Sequence, residues 1–334
     1  MDDPQQCEAP RVRTGEVAFA GHSTWFRVTG DLPGGRADRA DGGPTELAAP
    51  TPVVVLHGGP GLAHNGYLPM AGLAASGRAV VHYDQLGCGN STHLPDADPS
   101  FWTIDLFKDE LATLLTELGI ERYHLVGHSW GGMLGAEFAV DRPPGLASLT
   151  ICNSPASMAL WIEAAHQLLA ELPQQVAETL LRHEEAGTTD SAEYRDATAF
   201  VYSRHFCRVL PLPADVAASL AQADEDPTVY HAMNGPSEFH VIGSLADWSV
   251  VERLDAVEVP TLVIGGEHDQ ATPETWAPYV ERIPDARAHV FADASHTPHV
   301  EQTDQWLRVV GDFIGDHDAP PTSARDRHQR KASL

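Results

Sequence analysis

Short runs of β-branched and aliphatic residues recur along this chain, and each opens into a turn followed by a helix-period segment. "VVVLHGGPG" is a buried strand running into glycines, and "RAVVHYDQLGCGNS" is another. "FWTIDLFKDELATLLTELGI" spaces Leu106, Leu111, Leu114, Leu115 and Leu118 along one helix face and stops at Gly119. "YHLVGHS" reads as a strand, and "WGGMLGAEFAVDRP" as a helix stopped by Pro143 and Pro144. "LASLTICNSPAS" and "VPTLVIGGEHDQATP" continue the rhythm. Strands without a polar face must be covered on both sides. Alternation with helices therefore implies an α/β fold built on a mainly parallel sheet. Sheets of this kind bind ligands beyond the carboxyl ends of their strands.

The rhythm has a preface, an interruption and an end. "GEVAFAGHSTWFRVTG" (15–30) alternates and predicts two initial strands. Residues 31–52 are rich in Gly, Pro, Asp and Ala and read as an exposed loop. From 156 to 250 helical stretches dominate, as in "MALWIEAAHQLLAELP" and "SAEYRDATAFVYSRHFC", and predict a helical cap. The core segments are then 1–155 and 251–316. A final helix over "EQTDQWLRVVGDFIGD" precedes a polar tail at 317–334.

Composition excludes some partners. The chain of 334 residues has 21 Lys and Arg against 47 Asp and Glu, a formal charge of −26. So acidic a surface repels nucleic acid and anionic membranes. No apolar run approaches a membrane span, and the acidic N-terminus lacks the apolar centre of a secretory signal. Cys7, Cys88, Cys152 and Cys207 lie far apart, which suggests neither a disulfide framework nor a metal knuckle and suits the cytoplasm. No HExxH spacing occurs among the 18 histidines, and no metal or other cofactor is expected.

Four loops carry candidate chemistry, and each follows a strand. Ser129, in "GHSWGG", has glycines two residues before and two after it, at a strand–turn–helix junction. That context is what a nucleophile elbow needs. The Trp130 amide at the helix start would face a developing oxyanion. A serine hydroxyl needs a general base, and His296 in "DASHTPHVE" follows the final strand. His299 is a rival three residues on. Asp269, at the end of "TLVIGGEHD", would orient the imidazole. The order Ser129, Asp269, His296 is that of α/β-hydrolases. "HGGPG" (57–61) follows the third strand, where a second oxyanion donor belongs. Gly59 is assigned to that role, with Gly58 as its neighbour, and His57 is read as a brace.

Six segments together resemble the prolyl aminopeptidases (proline iminopeptidases) of the α/β-hydrolase fold. They are "HGGPG", "YDQLGCGNS", "GHSWGGML", "MNGPSEF", "GEHDQATP" and "SHTPHVE", and they span residues 53–301. The likeness is greatest to the branch with tricorn-interacting aminopeptidases and L-amino-acid amidases. The resemblance implies an eight-stranded sheet with a helical cap after the sixth strand. It also implies metal-free hydrolysis of an amide after a free N-terminal amino acid, in a small molecule or peptide. Glu238 matches the cap glutamate that binds the substrate ammonium. The second carboxylate of the family is replaced here by Gln270, which can accept a hydrogen bond but cannot neutralise a cation. Glu267 is the other carboxylate close by in sequence.

Three other functions are compatible with the chain. One is an amidohydrolase that removes an aminoacyl protecting group from a natural-product intermediate of the macrolactam type. Apolar cap residues such as Leu160, Trp161, Leu168 and Leu169 would then line a channel, although such faces normally pack inward. The others are an esterase and a noncatalytic binding protein of the same fold. The oligomeric state is left open.

Overall fold

A computed structural model describes residues 10–33 and 50–318. Most of the loop read at 31–52 and nearly all of the tail read at 317–334 lie outside the described residues. The sheet has eight strands: β1 (Val12–Phe19), β2 (His22–Thr29), β3 (Val53–Leu56), β4 (Val80–Tyr83), β5 (Tyr123–His128), β6 (Leu146–Cys152), β7 (Thr261–Gly266) and β8 (Ala286–Phe291). Their spatial order is β1-β2-β4-β3-β5-β6-β7-β8. The β1–β2 hairpin is antiparallel and joins β4 antiparallel, while the remaining pairs are parallel.

The uninterrupted apolar strands are explained by two cores. On β3, Val54 and Leu56 face one core, and Val53 and Val55 face the other. The first core is closed by α1 (Ile104–Glu117), α2 (Trp130–Val140) and α8 (Pro273–Arg282). The second is closed by α10 (Thr303–Gly315), through Trp306, Val310, Phe313 and Ile314, and by the 3₁₀ segment at 64–76. Each fully buried aliphatic side chain contributes about 1.5–3 kcal/mol, so these two faces supply much of the folding free energy.

Local chemistry sets the element ends. Thr103 caps α1 by accepting the Leu106 N–H, so the helix starts three residues inside the apolar stretch. The last helix read at 301–316 is α10, whereas the final strand, read from the sequence through "ARAHVFADASHTPHVE", stops at Phe291. A short helix, α9 (Pro298–Glu301), occupies the end of that stretch and is separated from α10 by Gln302, which leaves the helical region at φ −136 and ψ 48. The Gln302 side chain instead donates to the Ala292 carbonyl.

Five helices fill the interval between β6 and β7: α3 (Met158–Glu171), α4 (Gln174–Ala186), α5 (Ala192–His205), α6 (Ala214–Glu225) and α7 (Thr228–Met233). They carry their own small core, with Leu168, Leu169, Leu180, Tyr194 and Val201. Entry and exit of this insertion are pinned together. Ser157 and Ser249 form an antiparallel bridge, and the Met158 N–H donates to the Trp248 carbonyl at 2.9 Å. Below the bridge, buried Glu137 of α2 accepts from Trp248 Nε1 at 2.7 Å and from both terminal nitrogens of Arg253.

One buried carboxyl gives the fold a pH dependence. Glu110 of α1 accepts the Thr24 hydroxyl at 2.5 Å and the Leu86 N–H at 2.9 Å through Oε1. Burial pushes its pKa from 4.5 up to about 8, against the pull of those two bonds, and nearby Asp84 adds to the rise. The folded state therefore holds a proton that the unfolded chain releases. The stability that Glu110 contributes falls as pH rises from about 4.5 through about 8 and is level beyond. Glu110→Gln should remove this loss. Its melting temperature relative to the parent should climb by about 5 °C between pH 5 and pH 9. Parallel melting curves for parent and variant across that range would show that Glu110 does not titrate in the fold.

Candidate active site

The turn between β5 and α2 is made possible by the absence of two side chains. A Cβ on Gly127 would lie 2.1 Å from the Gly131 carbonyl oxygen, and one on Gly131 would lie 2.1 Å from the carbonyl oxygen of Leu56 on β3. Between them Ser129 adopts φ 54 and ψ −122, a strained backbone for a residue with a side chain. Its N–H is held by the Cys152 carbonyl at 2.8 Å. The first helical bonds run from Gly132 and Met133 to the Ser129 carbonyl, which leaves the Trp130 N–H free at the head of α2.

The glycine loop after β3 lies against this turn. A Cβ on Gly58 would sit 3.1 Å from Ser129 Cβ. The Gly58 N–H is already bound, to the Tyr67 hydroxyl at 2.9 Å. Gly59 has φ 113, and a Cβ there would meet the Gly61 amide nitrogen at 2.4 Å, so only glycine fits. Gly59, Ser129 and Trp130 line one cavity of about 350 Å³, with its mouth included. His57 braces the loop as read from the sequence. Its Nε2 accepts the Gln85 N–H at 2.9 Å, while the Gln85 side chain binds the His57 carbonyl at 3.2 Å and Trp130 Nε1 at 2.9 Å.

Asp269 and His296 meet at a second junction, beyond the ends of β7 and β8. β7 itself stops at Gly266, three residues before the aspartate. His296 Nδ1 lies 2.7 Å from Asp269 Oδ1, with both side chains almost fully buried. Oδ1 also accepts the Ala271 N–H at 2.8 Å, and Oδ2 accepts from Asn153 Nδ2 at 2.6 Å. Asn153, at the end of β6, went unnoticed in the sequence; its place in a strand-end loop was the available signal. Burial works against a charged His296 ring. Asp269, by its charge and its hydrogen bond, outweighs that and raises the imidazole above its usual 6.5. Among the described residues no hydrogen bond joins Ser129 Oγ to His296. Contacts of this kind commonly tighten only when substrate binds.

The other histidines around His296 are held neutral. Burial lowers His57 to about 4 and His299 to about 3. His128 falls well below 6.5 through burial and through the neighbouring His296 and His299. His299 packs behind the site, with Nε2 on the Gly66 carbonyl at 3.3 Å, which removes it as a rival base. The loop bearing His296 is held from below by Glu301, which accepts both the N–H and the hydroxyl of Ser295 at 2.5 Å.

The insertion takes part in this junction. The His205 carbonyl, at the end of α5, accepts the His296 N–H at 3.1 Å and the Gln270 N–H at 3.4 Å. His205 Nδ1 lies 3.0 Å from the His268 carbonyl, and the Thr297 hydroxyl donates to the Phe206 carbonyl at 3.1 Å. The Arg208 N–H donates to Glu301 at 2.6 Å.

Glu238 closes the cavity from the insertion side, beside Trp161, Tyr230 and Asn234. Its carbonyl is held by Trp161 Nε1 at 2.9 Å, while its buried Oε2 has no hydrogen-bond partner among the described residues. Burial raises the Glu238 carboxyl above 4.5; the His296 ring and the Gln270 carboxamide oppose the rise. Gln270 is buried, and neither its Oε1 nor its Nε2 makes a hydrogen bond of good geometry. A cation placed between these groups would satisfy both. Glu267 is not a substitute carboxylate. It is exposed and spends Oε2 on the Asp293 N–H at 2.9 Å. With His268 and Asp293 it brings ligand atoms within 4.8 Å of one another at the surface, a group explained by that loop contact. Among the apolar cap residues, Trp161 lines the cavity, whereas Leu168 and Leu169 pack inside the insertion.

Comparison with known proteins agrees with this geometry. The family model for the alpha/beta hydrolase fold matches residues 51–303. A proline iminopeptidase from Heyndrickxia coagulans is 37% identical over 264 residues, covering 79% of this chain and 90% of the relative. The crystal structure of a Mycobacterium smegmatis proline iminopeptidase superposes with a TM-score of 0.82 at 54% identity, covering 92% of this chain and 99% of that one. The crystal structure of VinJ gives a TM-score of 0.86 at 48% identity, with the same coverages. The eight-stranded sheet, the helical insertion after its sixth strand and these likenesses lead to one conclusion: the chain belongs to the proline iminopeptidase family of α/β-hydrolases.

Proposed function

We propose that this protein is a serine aminopeptidase that releases an N-terminal amino acid from an amide through an acyl-enzyme. The observation that carries the reading is the unpartnered Glu238 Oε2 on the wall of the cavity that holds Ser129. A simple esterase has no use for a buried acceptor there, whereas an α-ammonium group fills it. Ser129 attacks the aminoacyl carbonyl and His296 takes its proton. Asp269 keeps the proton of the neutral ring on Nδ1 and stabilises the imidazolium. The N–H groups of Gly59 and Trp130 receive the oxyanion. His296 then protonates the leaving amine, and water repeats the cycle to free the amino acid. The side chain of that residue lies among Met133, Met158, Trp161 and Leu245, which favours an apolar one.

Glu238 neutralises the ammonium, and Gln270 accepts a hydrogen bond from it. Residues 156–250 act as the cap, between core segments 1–155 and 251–316. Small molecules or peptides with a free amino terminus are the partners; the charge of −26 disfavours nucleic acid and anionic membranes. The setting is the cytoplasm, which suits the free, buried thiols of Cys88, Cys152 and Cys207. Among the described residues no helix is long and apolar enough to cross a membrane. The neutral Gln270 also suits a specialised amidohydrolase acting on an aminoacylated natural-product intermediate. A panel of aminoacyl amides with short and long amine parts, compared by kcat/KM, separates the two.

Ser129→Ala should lower turnover of an aminoacyl naphthylamide by about 10⁴-fold or more with an unchanged circular dichroism spectrum. Retained activity would remove Ser129 as nucleophile. Glu238→Gln should raise KM about 10-fold or more for substrates with a free amine and leave N-acetylated analogues unaffected; equal effects on both would exclude amine recognition. His296 must be neutral to accept the serine proton, and its pKa is raised. Activity should therefore fall with acid along a limb centred above pH 6.5. Asp269→Asn should move that limb to lower pH and cost about 10⁴-fold in kcat. A limb that stays in place would dissociate it from this pair.

A further inference from the structure

The residue just before the nucleophile belongs to a buried chain of hydrogen bonds that the mechanism above does not use. The Gly58 N–H donates to the Tyr67 hydroxyl at 2.9 Å. The Tyr67 oxygen lies 3.3 Å from His128 Nδ1. His128 Nε2 lies 2.6 Å from the His296 carbonyl oxygen. Tyr67, His128 and His296 are all buried.

The chemistry of the two ends fixes the direction of every proton. A carbonyl oxygen only accepts, so His128 carries its proton on Nε2 and presents a lone pair at Nδ1. Tyr67, which already accepts from Gly58, then donates to that lone pair. A protonated His128 would face Tyr67 with a second donor and leave the phenol without an acceptor. It would also stand 4.8 Å, ring centre to ring centre, from the imidazole that becomes charged in the proposed mechanism. Burial and the neighbouring histidines hold His128 well below its usual pKa, in keeping with the neutral form. His299 fixes both rings: it stacks on Tyr67 at 5.4 Å and 11° and meets His128 edge-on at 4.9 Å and 67°.

We propose that Tyr67 and His128 are positioning residues that tie the oxyanion loop to the loop carrying the general base. The proposal rests on the reading of Ser129, Gly59 and His296 given above. Gly58 precedes Gly59, and His128 precedes Ser129. The chain therefore runs from the oxyanion loop, past the nucleophile, to the backbone of the base. Binding of the Gly58 N–H by Tyr67 also removes that group as an oxyanion donor, while Gly59 lines the cavity. Misplacement of such groups by about 1 Å costs on the order of 100-fold in rate.

The experiment compares Tyr67→Phe, His128→Leu, His128→Gln and the Tyr67→Phe/His128→Leu pair. Active enzyme is counted by stoichiometric labelling with an organophosphonate that reacts with Ser129. Tyr67→Phe keeps the ring against His299 and removes only the hydroxyl. It should lower kcat of the labelled fraction about 10- to 100-fold, with KM within about twofold. His128→Leu should do the same, and His128→Gln, whose amide N–H reaches toward the His296 carbonyl, should recover part of the loss. The pair should be no slower than the slower single variant, since both break one chain. If His128→Leu does not fold, Tyr67→Phe and His128→Gln carry the test. An unchanged kcat in Tyr67→Phe, or losses that multiply in the pair, overturns the proposal. A lower melting temperature with unaltered kcat per labelled site assigns the two residues to the fold alone and overturns it as well. Parent enzyme that turns over substrate without labelling at Ser129 sinks the underlying mechanism instead.

Discussion

Everything at this site depends on how closely one turn can approach one strand. Gly131 sits where a Cβ would overlap the Leu56 carbonyl, so α2 begins directly against the end of β3. That contact brings the serine turn and the glycine loop together, since Gly58 lies two residues beyond Leu56, the last residue of β3. It also holds Ser129 in a backbone conformation that costs on the order of 1–3 kcal/mol. The surrounding sheet and helix supply the compensation, because both strands and α2 are buried along nearly their whole length. The strain aims the hydroxyl outward, into the cavity rather than into the core.

Electrostatics then separates one histidine from its neighbours. His57, His128 and His299 lie buried with backbone or phenol partners, and burial keeps them neutral. His296 is equally buried but has Asp269 at 2.7 Å, and its pKa moves the other way. Of these four buried imidazoles, His296 alone has its pKa raised, through its carboxylate partner and not through exposure. The surrounding neutral rings let a charge appear on His296 without opposing it.

The fold was largely legible because its signals are local. Apolar runs, glycine turns and the helical stretch after "LASLTIC" each follow from neighbouring residues. The order of Ser129, Asp269 and His296 could be read because each follows a strand. What could not be read depends on distant contacts. Asn153 meets Asp269 across 116 positions, and Tyr67 meets His128 across 61. Glu267 looked like a spare carboxylate only until Asp293 was seen to occupy it. The short helix at 298–301 was missed for the same reason: Gln302, which separates it from α10, bonds to Ala292, ten residues back in a loop.

The end of α5 gives backbone and side-chain bonds to the loops of both Asp269 and His296. The inserted helices are therefore structural neighbours of Asp269 and His296 as well as walls of the cavity. A change near 205–208 acts on both loops at once, because the His205 carbonyl accepts from Gln270 and His296 together. Trp161 is tied as well, since its Nε1 holds the Glu238 carbonyl at 2.9 Å. The insertion thus fixes the loops of the core at one end and the far wall of the cavity at the other.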